Sequence, residues 1–163
     1  MTDHPDGSHG DADIKTIEAA LDGVARVLTR VRLHDQLTAV AGVDIDRAGA
    51  ALLYKLVVCG EELRLRDVAE RLGVDAPVVT RKVQQLEAQG LLVRAADPDD
   101  GRAVRLRVTS NGRHVIERLL EARRTLYTNL LADWPSSDRA AFAQLLSRFA
   151  DDLSKKVGVN RDR

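Results

Sequence analysis

The stretch RDVAERLGVDAPVVTRKVQQLEAQGLLVRAADPDDGRAVRLRVTSNG, residues 66–112, changes its hydrophobic period halfway along. Before Gly90 the apolar residues recur at steps of 3 and 4, the spacing of one helix face. Val68, Ala69 and Leu72 precede Gly73, and Val79, Val83 and Leu86 follow it. After Gly90 the period falls to 2. LLVRAA can form a strand, and AVRLRV places Val104, Leu106 and Val108 on one face with Ala103, Arg105 and Arg107 on the other. Ala69 is small enough to let the second helix cross closely, and Gly73 permits a tight turn between the two. Asp75 is placed to cap the second helix, and Pro77 falls in its first turn, where a missing N–H does no harm. DPDDGR, residues 97–102, is rich in turn formers and joins the two strands. The whole reads as a helix-turn-helix followed by a hairpin, or wing.

Working outward, residues 1–12 mix Asp, Gly, His, Pro and Ser without apolar periodicity and read as a disordered tail. Ile14, Ile17, Leu21, Val24, Leu28 and Val31 then form a narrow helical stripe of the kind that pairs with another helix. Asp44 or Asp46 is placed to cap the next helix, which carries Leu52, Leu53, Leu56 and Val57 and ends at Gly60. On the other side, Thr109 caps a long helix carrying Val115, Ile116, Leu119, Leu120, Leu126, Leu130 and Leu131. WPSSD, residues 134–138, breaks it. A last helix holds Phe142, Leu145, Leu146, Phe149, Leu153 and Val157.

The expected fold is mainly α (α+β): a winged helix-turn-helix with N- and C-terminal dimerisation helices. Its expected parts are a tail at 1–12, an N-terminal dimerisation helix at 13–40 and a DNA-binding domain at 44–108 with its wing at 91–108. C-terminal dimerisation helices at 109–158 and a tail at 159–163 complete it. The terminal helices carry more apolar face than one small winged domain can cover, so the economical arrangement is a homodimer.

Composition agrees with this and narrows the alternatives. Aromatic residues are only 3% of the 163, so the core must be built from Leu, Val and Ala, which favours helices. Basic and acidic residues number 25 each, so any nucleic-acid contact must come from local clustering rather than net charge. Cys59 is the only cysteine, which excludes an internal disulfide. No apolar run approaches 18 residues and no signal peptide is visible, so a cytoplasmic protein with no membrane partner is expected. There is no phosphate loop, no paired metal ligands and no Ser, His and acid set in a motif context, so no enzyme activity is expected.

If Val79, Val83 and Leu86 face inward, helical geometry turns Pro77, Val78, Arg81 and Gln85 outward with Lys82 at the flank. Arg81 then has the donor fork for a guanine edge, Gln85 the amide for adenine, and Pro77 and Val78 the apolar surface for thymine methyls. Lys82 is expected on phosphate. From the wing, Arg94 and Arg105 are further DNA candidates, the competing reading being arginines that cover apolar surface or pair with nearby acids. The acidic tip offers three carboxylates but lacks the distant Glu of a calcium loop, so no metal site is expected. Arg102 at the tip is placed instead to enter a minor groove, with Asp100 holding it pre-aimed.

Residues 14–157 resemble the multiple-antibiotic-resistance regulator (MarR) family of bacterial transcription factors. DPDDGRAVRLRVTSNG is similar to that family's wing signature, and RDVAERLGVDAPVVTRKVQQLEAQGLL to its helix-turn-helix with a Leu-Glu-x-x-Gly-Leu exit. Val78 departs from the small hydroxyl residue often found at that place. The resemblance implies a triangular homodimer that binds a palindromic double-stranded operator and represses nearby genes until an effector loosens it. It gives Asp100 and Arg102 the wing-tip roles above. It implies no cofactor beyond a small aromatic or anionic effector of unknown identity, with His34, Tyr54 and Lys55 as candidates for its lining. The alternatives are a winged-helix protein-interaction module or a redox-responsive regulator using Cys59.

Overall fold

The computed structural model describes residues 7–59, 63–64, 67–69, 75–97 and 104–158. In chain order the elements are α1 (Gly7–Leu28), α2 (Val31–Ala41), α3 (Arg47–Cys59), β1 (Leu63–Arg64), α4 (Ala76–Ala88), β2 (Leu92–Ala96), β3 (Val104–Val108), α5 (Ser110–Leu130) and α6 (Ser136–Val157). Residues 67–69 are also helical. The mainly helical winged fold expected from the two hydrophobic periods is therefore present. Leu72 and Gly73, at the expected turn, lie outside the described residues.

One core serves α3, α4, the sheet and the first half of α5. Leu52, Leu53 and Leu56 from α3 meet Val79, Val83 and Leu86 from α4, with Leu92 and Leu106 from the sheet and Ile116 from α5. Each fully buried Leu or Val contributes roughly 1.5–3 kcal/mol of transfer free energy. The sheet is antiparallel in the order β1-β3-β2, with Leu92 opposite Val108, Arg94 opposite Leu106 and Ala96 opposite Val104. β1, which the sequence reading did not anticipate, pairs Leu63 with Leu106 and Arg64 with Arg105. Two residues are too few for a periodicity to register, although Leu-Arg-Leu-Arg at 63–66 alternates as a strand does.

The N-terminal segment differs from expectation in two ways. Residues 7–12, read as tail, are helical in α1; their only apolar residue is Ala12, so hydrophobic periodicity carried no sign of them. The single helix expected at 13–40 is two. Arg30 is extended (φ −69, ψ 134), Thr29 turns its hydroxyl back to the Ala25 carbonyl at 2.7 Å, and Arg47 donates to the freed Thr29 carbonyl at 2.7 Å. That break is held by a residue 18 positions away, so no local pattern announces it.

α2 ends at Gly42 (φ 60), where the N–H groups of Gly42 and Val43 satisfy the carbonyls of Ala39 and Thr38. α3 starts on Asp46, whose Oδ1 accepts from the Gly49 N–H at 2.7 Å, making it the cap among the two expected candidates. Among the described residues, α1 and α6 bury none within the chain. Ile14, Val24 and Val27 on α1, and Leu145, Leu153 and Val157 on α6, are each more than half exposed.

Candidate nucleic-acid interface

α4 is the second helix of the helix-turn-helix. Pro77 lies in its first turn, and Val79, Val83 and Leu86 are buried. Asp75 occupies the cap position, but only its backbone carbonyl takes part, accepting from the N–H groups of Val78 and Val79. The side-chain cap expected there is not formed. At the other end Gly90 adopts φ 68, and the N–H groups of Gly90 and Leu91 satisfy the carbonyls of Glu87 and Leu86. This turn aims Leu91 and β2 back across the core.

The outer face of α4 carries Pro77, Val78, Arg81 and Gln85, all exposed, and with Lys82 they line a shallow groove of about 210 Å³. Val78, 59% exposed, presents an apolar surface in this groove. Arg81 has no ion pair or side-chain hydrogen bond among the described residues. Lys82 differs: its ammonium is paired with Asp46 and donates to Gln85 Oε1 at 2.7 Å, with only 18% of its side chain exposed. Burial raises the Asp46 carboxyl pKa, but the Lys82 hydrogen bond, the Gly49 N–H and the charges of Lys82 and His34 outweigh it. The group is held below its usual value.

The wing arginines are held by acids of the protein. Arg94 Nε lies 2.9 Å from Glu87 Oε2, tying β2 to the last turn of α4. At the base of the hairpin Asp97 is buried, its side chain fully enclosed. Its Oδ2 sits 2.6 Å from Arg64 Nε and 3.0 Å from Arg105 Nε. Asp97 thus forms a charge-assisted clamp that takes Arg64 and Arg105. Asp100 and Arg102 themselves lie outside the described residues. Sequence reasoning missed Asp97, Arg64 and Glu87 as partners. A carboxylate at the end of a strand with an arginine on the facing strand was the available signal.

The wing is joined to α5 through Thr109. Its hydroxyl donates to the Gly90 carbonyl at 2.8 Å and accepts from the Gly112 N–H at 3.0 Å, while its own N–H reaches the Leu91 carbonyl at 3.1 Å. Thr109 is therefore the cap that the sequence indicated.

Elsewhere, His34 Nε2 donates to the Ile45 carbonyl at 2.8 Å and borders an open recess of about 470 Å³ with Asp35, Asp44 and Asp46. The Tyr54 ring receives the Arg123 guanidinium at 5.8 Å, and Lys55 is half-buried. The structure thus does not gather His34, Tyr54 and Lys55 around that recess. Cys59 is the last residue of α3, and its side chain lies outside the described residues. Among the described residues no cluster of His, Cys, Asp and Glu has metal-binding geometry, and no helix is long and apolar enough to cross a membrane.

Comparison with known proteins places this geometry. Residues 56–103 match the sequence model of the MarR family. YxaD of Bacillus subtilis, described as an HTH-type transcriptional regulator, is 29% identical over 105 residues, 64% of this chain and 73% of its own length. A MarR family protein from Bacillus stearothermophilus superposes with a TM-score of 0.78 over 88% of this chain and 97% of that one, at 19% identity. The PcaV transcriptional regulator of Streptomyces coelicolor, solved with its natural ligand, is 32% identical with a TM-score of 0.54, covering 78% of this chain and 89% of PcaV. With the two hydrophobic periods, the buried face of α4 and the three-stranded wing all in their places, the chain belongs to the MarR family of transcriptional regulators and carries a DNA-binding winged helix-turn-helix.

Proposed function

We propose that the chain is a homodimeric repressor that acts in the cytoplasm, binds a palindromic double-stranded operator near its own gene and is released by a small-molecule effector. The observation that carries this reading is the outer face of α4: an uncommitted Arg81 beside exposed Val78, Pro77 and Gln85, on a helix anchored rigidly by its other face. Arg81 contacts a guanine edge and Val78 with Pro77 a thymine methyl. Arg102 enters the minor groove at the wing tip, steadied by Asp100. Arg94 and Arg105 support the wing rather than touch DNA, because Glu87 and Asp97 hold them.

The exposed stripes of α1 and α6 support the dimer, residues 13–40 and 109–158 supplying the dimerisation helices and 44–108 the operator-binding lobe. A second copy covers these stripes at no polar penalty. PcaV, solved with a natural ligand, supports effector release.

Titration of a fluorescent duplex from the chain's own upstream region tests the reading. Affinity should fall steeply with salt as counterions are released. Arg81→Ala should cut specific binding by about 1–3 kcal/mol while leaving binding to random duplex nearly unchanged. Equal affinity of the native chain for upstream and random DNA would reject the assignment.

A further inference from the structure

We infer that Asp46, although it caps α3 and does not lie on the DNA face, sets which base Gln85 reads. The inference rests on the operator-binding role proposed above for α4. An amide can present either its carbonyl oxygen or its –NH2 group, and on a solvated helix face nothing selects between them. Here the choice is made. Lys82 is a donor only, so the atom of Gln85 it touches at 2.7 Å must be the carbonyl oxygen, and the –NH2 group points away from Lys82. Lys82 is itself kept in place by Asp46, whose other oxygen is fixed by the Gly49 N–H at the start of α3. The order runs from the first turn of α3, through a carboxylate and an ammonium, to an amide on the outer face of α4.

The chemical consequence concerns the base. Adenine is recognised by an amide that donates to N7 and accepts from the N6 amino group, so it needs the carbonyl. Lys82 takes one of the two lone pairs of that oxygen and sets a cationic donor beside it, so an adenine amino group that approaches the oxygen meets a group of like polarity, while the –NH2 of Gln85 stays open to O6 and N7 of guanine or O4 of thymine. Arg81, one turn before Gln85 on the same face, also offers donors alone. The outer face of α4 therefore reads acceptor edges, and the adenine contact that glutamine alone would suggest is disfavoured. Asp46 and Lys82 are positioning residues, and Lys82 is withdrawn from phosphate.

Selection of duplexes from a randomised pool with the full chain, followed by binding to every single-base variant of the selected site, tests this. In the native chain the position whose preference is lost in Gln85→Ala should hold guanine or thymine. In Lys82→Met, which keeps the stem and removes the donor, preference at that position alone should move towards adenine by roughly fivefold or more. Asp46→Asn keeps an oxygen for the Gly49 N–H and should move it the same way by a smaller factor, so it decides the matter should Lys82→Met fail to fold. Adenine already preferred by the native chain at the Gln85 position overturns the inference. So does a uniform loss of affinity in both variants with the base preferences unchanged. Either result leaves operator binding standing, whereas a native chain without any sequence preference overturns both.

Discussion

A methyl group added at position 112 would sit 2.1 Å from the Leu91 carbonyl oxygen and 2.8 Å from Val108 Cγ1. Neither the strand backbone nor the first turn of α5 can retreat without opening the Thr109 cap. Gly112→Ala should thus destabilise the fold by about 3 kcal/mol, read as a lower urea midpoint, although alanine is the better helix former. The helix start was legible in the sequence at Thr109, but the close approach at Gly112 was not, since Leu91 is distant in the chain. Asp46 shows the same limit: its capping role follows from position, while its pairing with Lys82, 36 residues on, does not. A carboxyl whose pKa is depressed on folding stabilises the protein above its ordinary value, and that contribution is lost as pH falls through the depressed one. Asp46→Asn should accordingly lower stability at neutral pH by up to about 1 kcal/mol, half of the side chain being in water. The difference from the native chain should close in acid, below about pH 4, in urea titrations at stepped pH.

The wing depends on a buried carboxylate in a way that a hairpin of alternating residues does not reveal. β2 and β3 were readable because their alternation spans five residues each; β1 was not, because two residues define no period. Yet β1 brings Arg64 to Asp97, and the carboxylate is the buried acid that Arg64 and Arg105 share. Asp97→Ala should cost about 3 kcal/mol, the lower end for breaking a buried pair, since both arginines keep about a quarter of their side-chain surface in water. Arg105→Ala should lower the Tm while leaving the affinity for the upstream duplex as it was; Arg81→Ala should leave the Tm as it was and cut that affinity. Measuring both quantities on both variants separates the residues that hold the wing from those that meet the operator.

At the scale of the whole molecule, the sequence showed which helix faces are apolar but not where a helix ends against a distant side chain. The continuous stripe from Ile14 to Val31 suggested one helix, but the extended Arg30, beside a Thr29 bonded to Ala25 and to the distant Arg47, divides it. The stripes themselves remain uncovered in one chain, with Leu145 and Val157 each 63% exposed. Leu21→Glu combined with Leu145→Glu should yield a folded monomer in sedimentation equilibrium, with unchanged helix content and a large loss of affinity for a two-half-site operator relative to a single half-site.

The junction at Thr109 also has a mechanical consequence. Its hydroxyl, its N–H and the Leu91 carbonyl join the end of the hairpin to the first turn of α5, so hairpin and helix turn as one lever arm. α5 has 21 residues and is roughly 30 Å long, so a tilt of roughly 10° about one end displaces the other by roughly 5 Å. That exceeds the rise of one base pair, 3.4 Å along each strand. In the proposed dimer, a small rotation where the two copies meet would thereby be enlarged into a mismatch with the spacing of the DNA, without any bond in the reading head being broken.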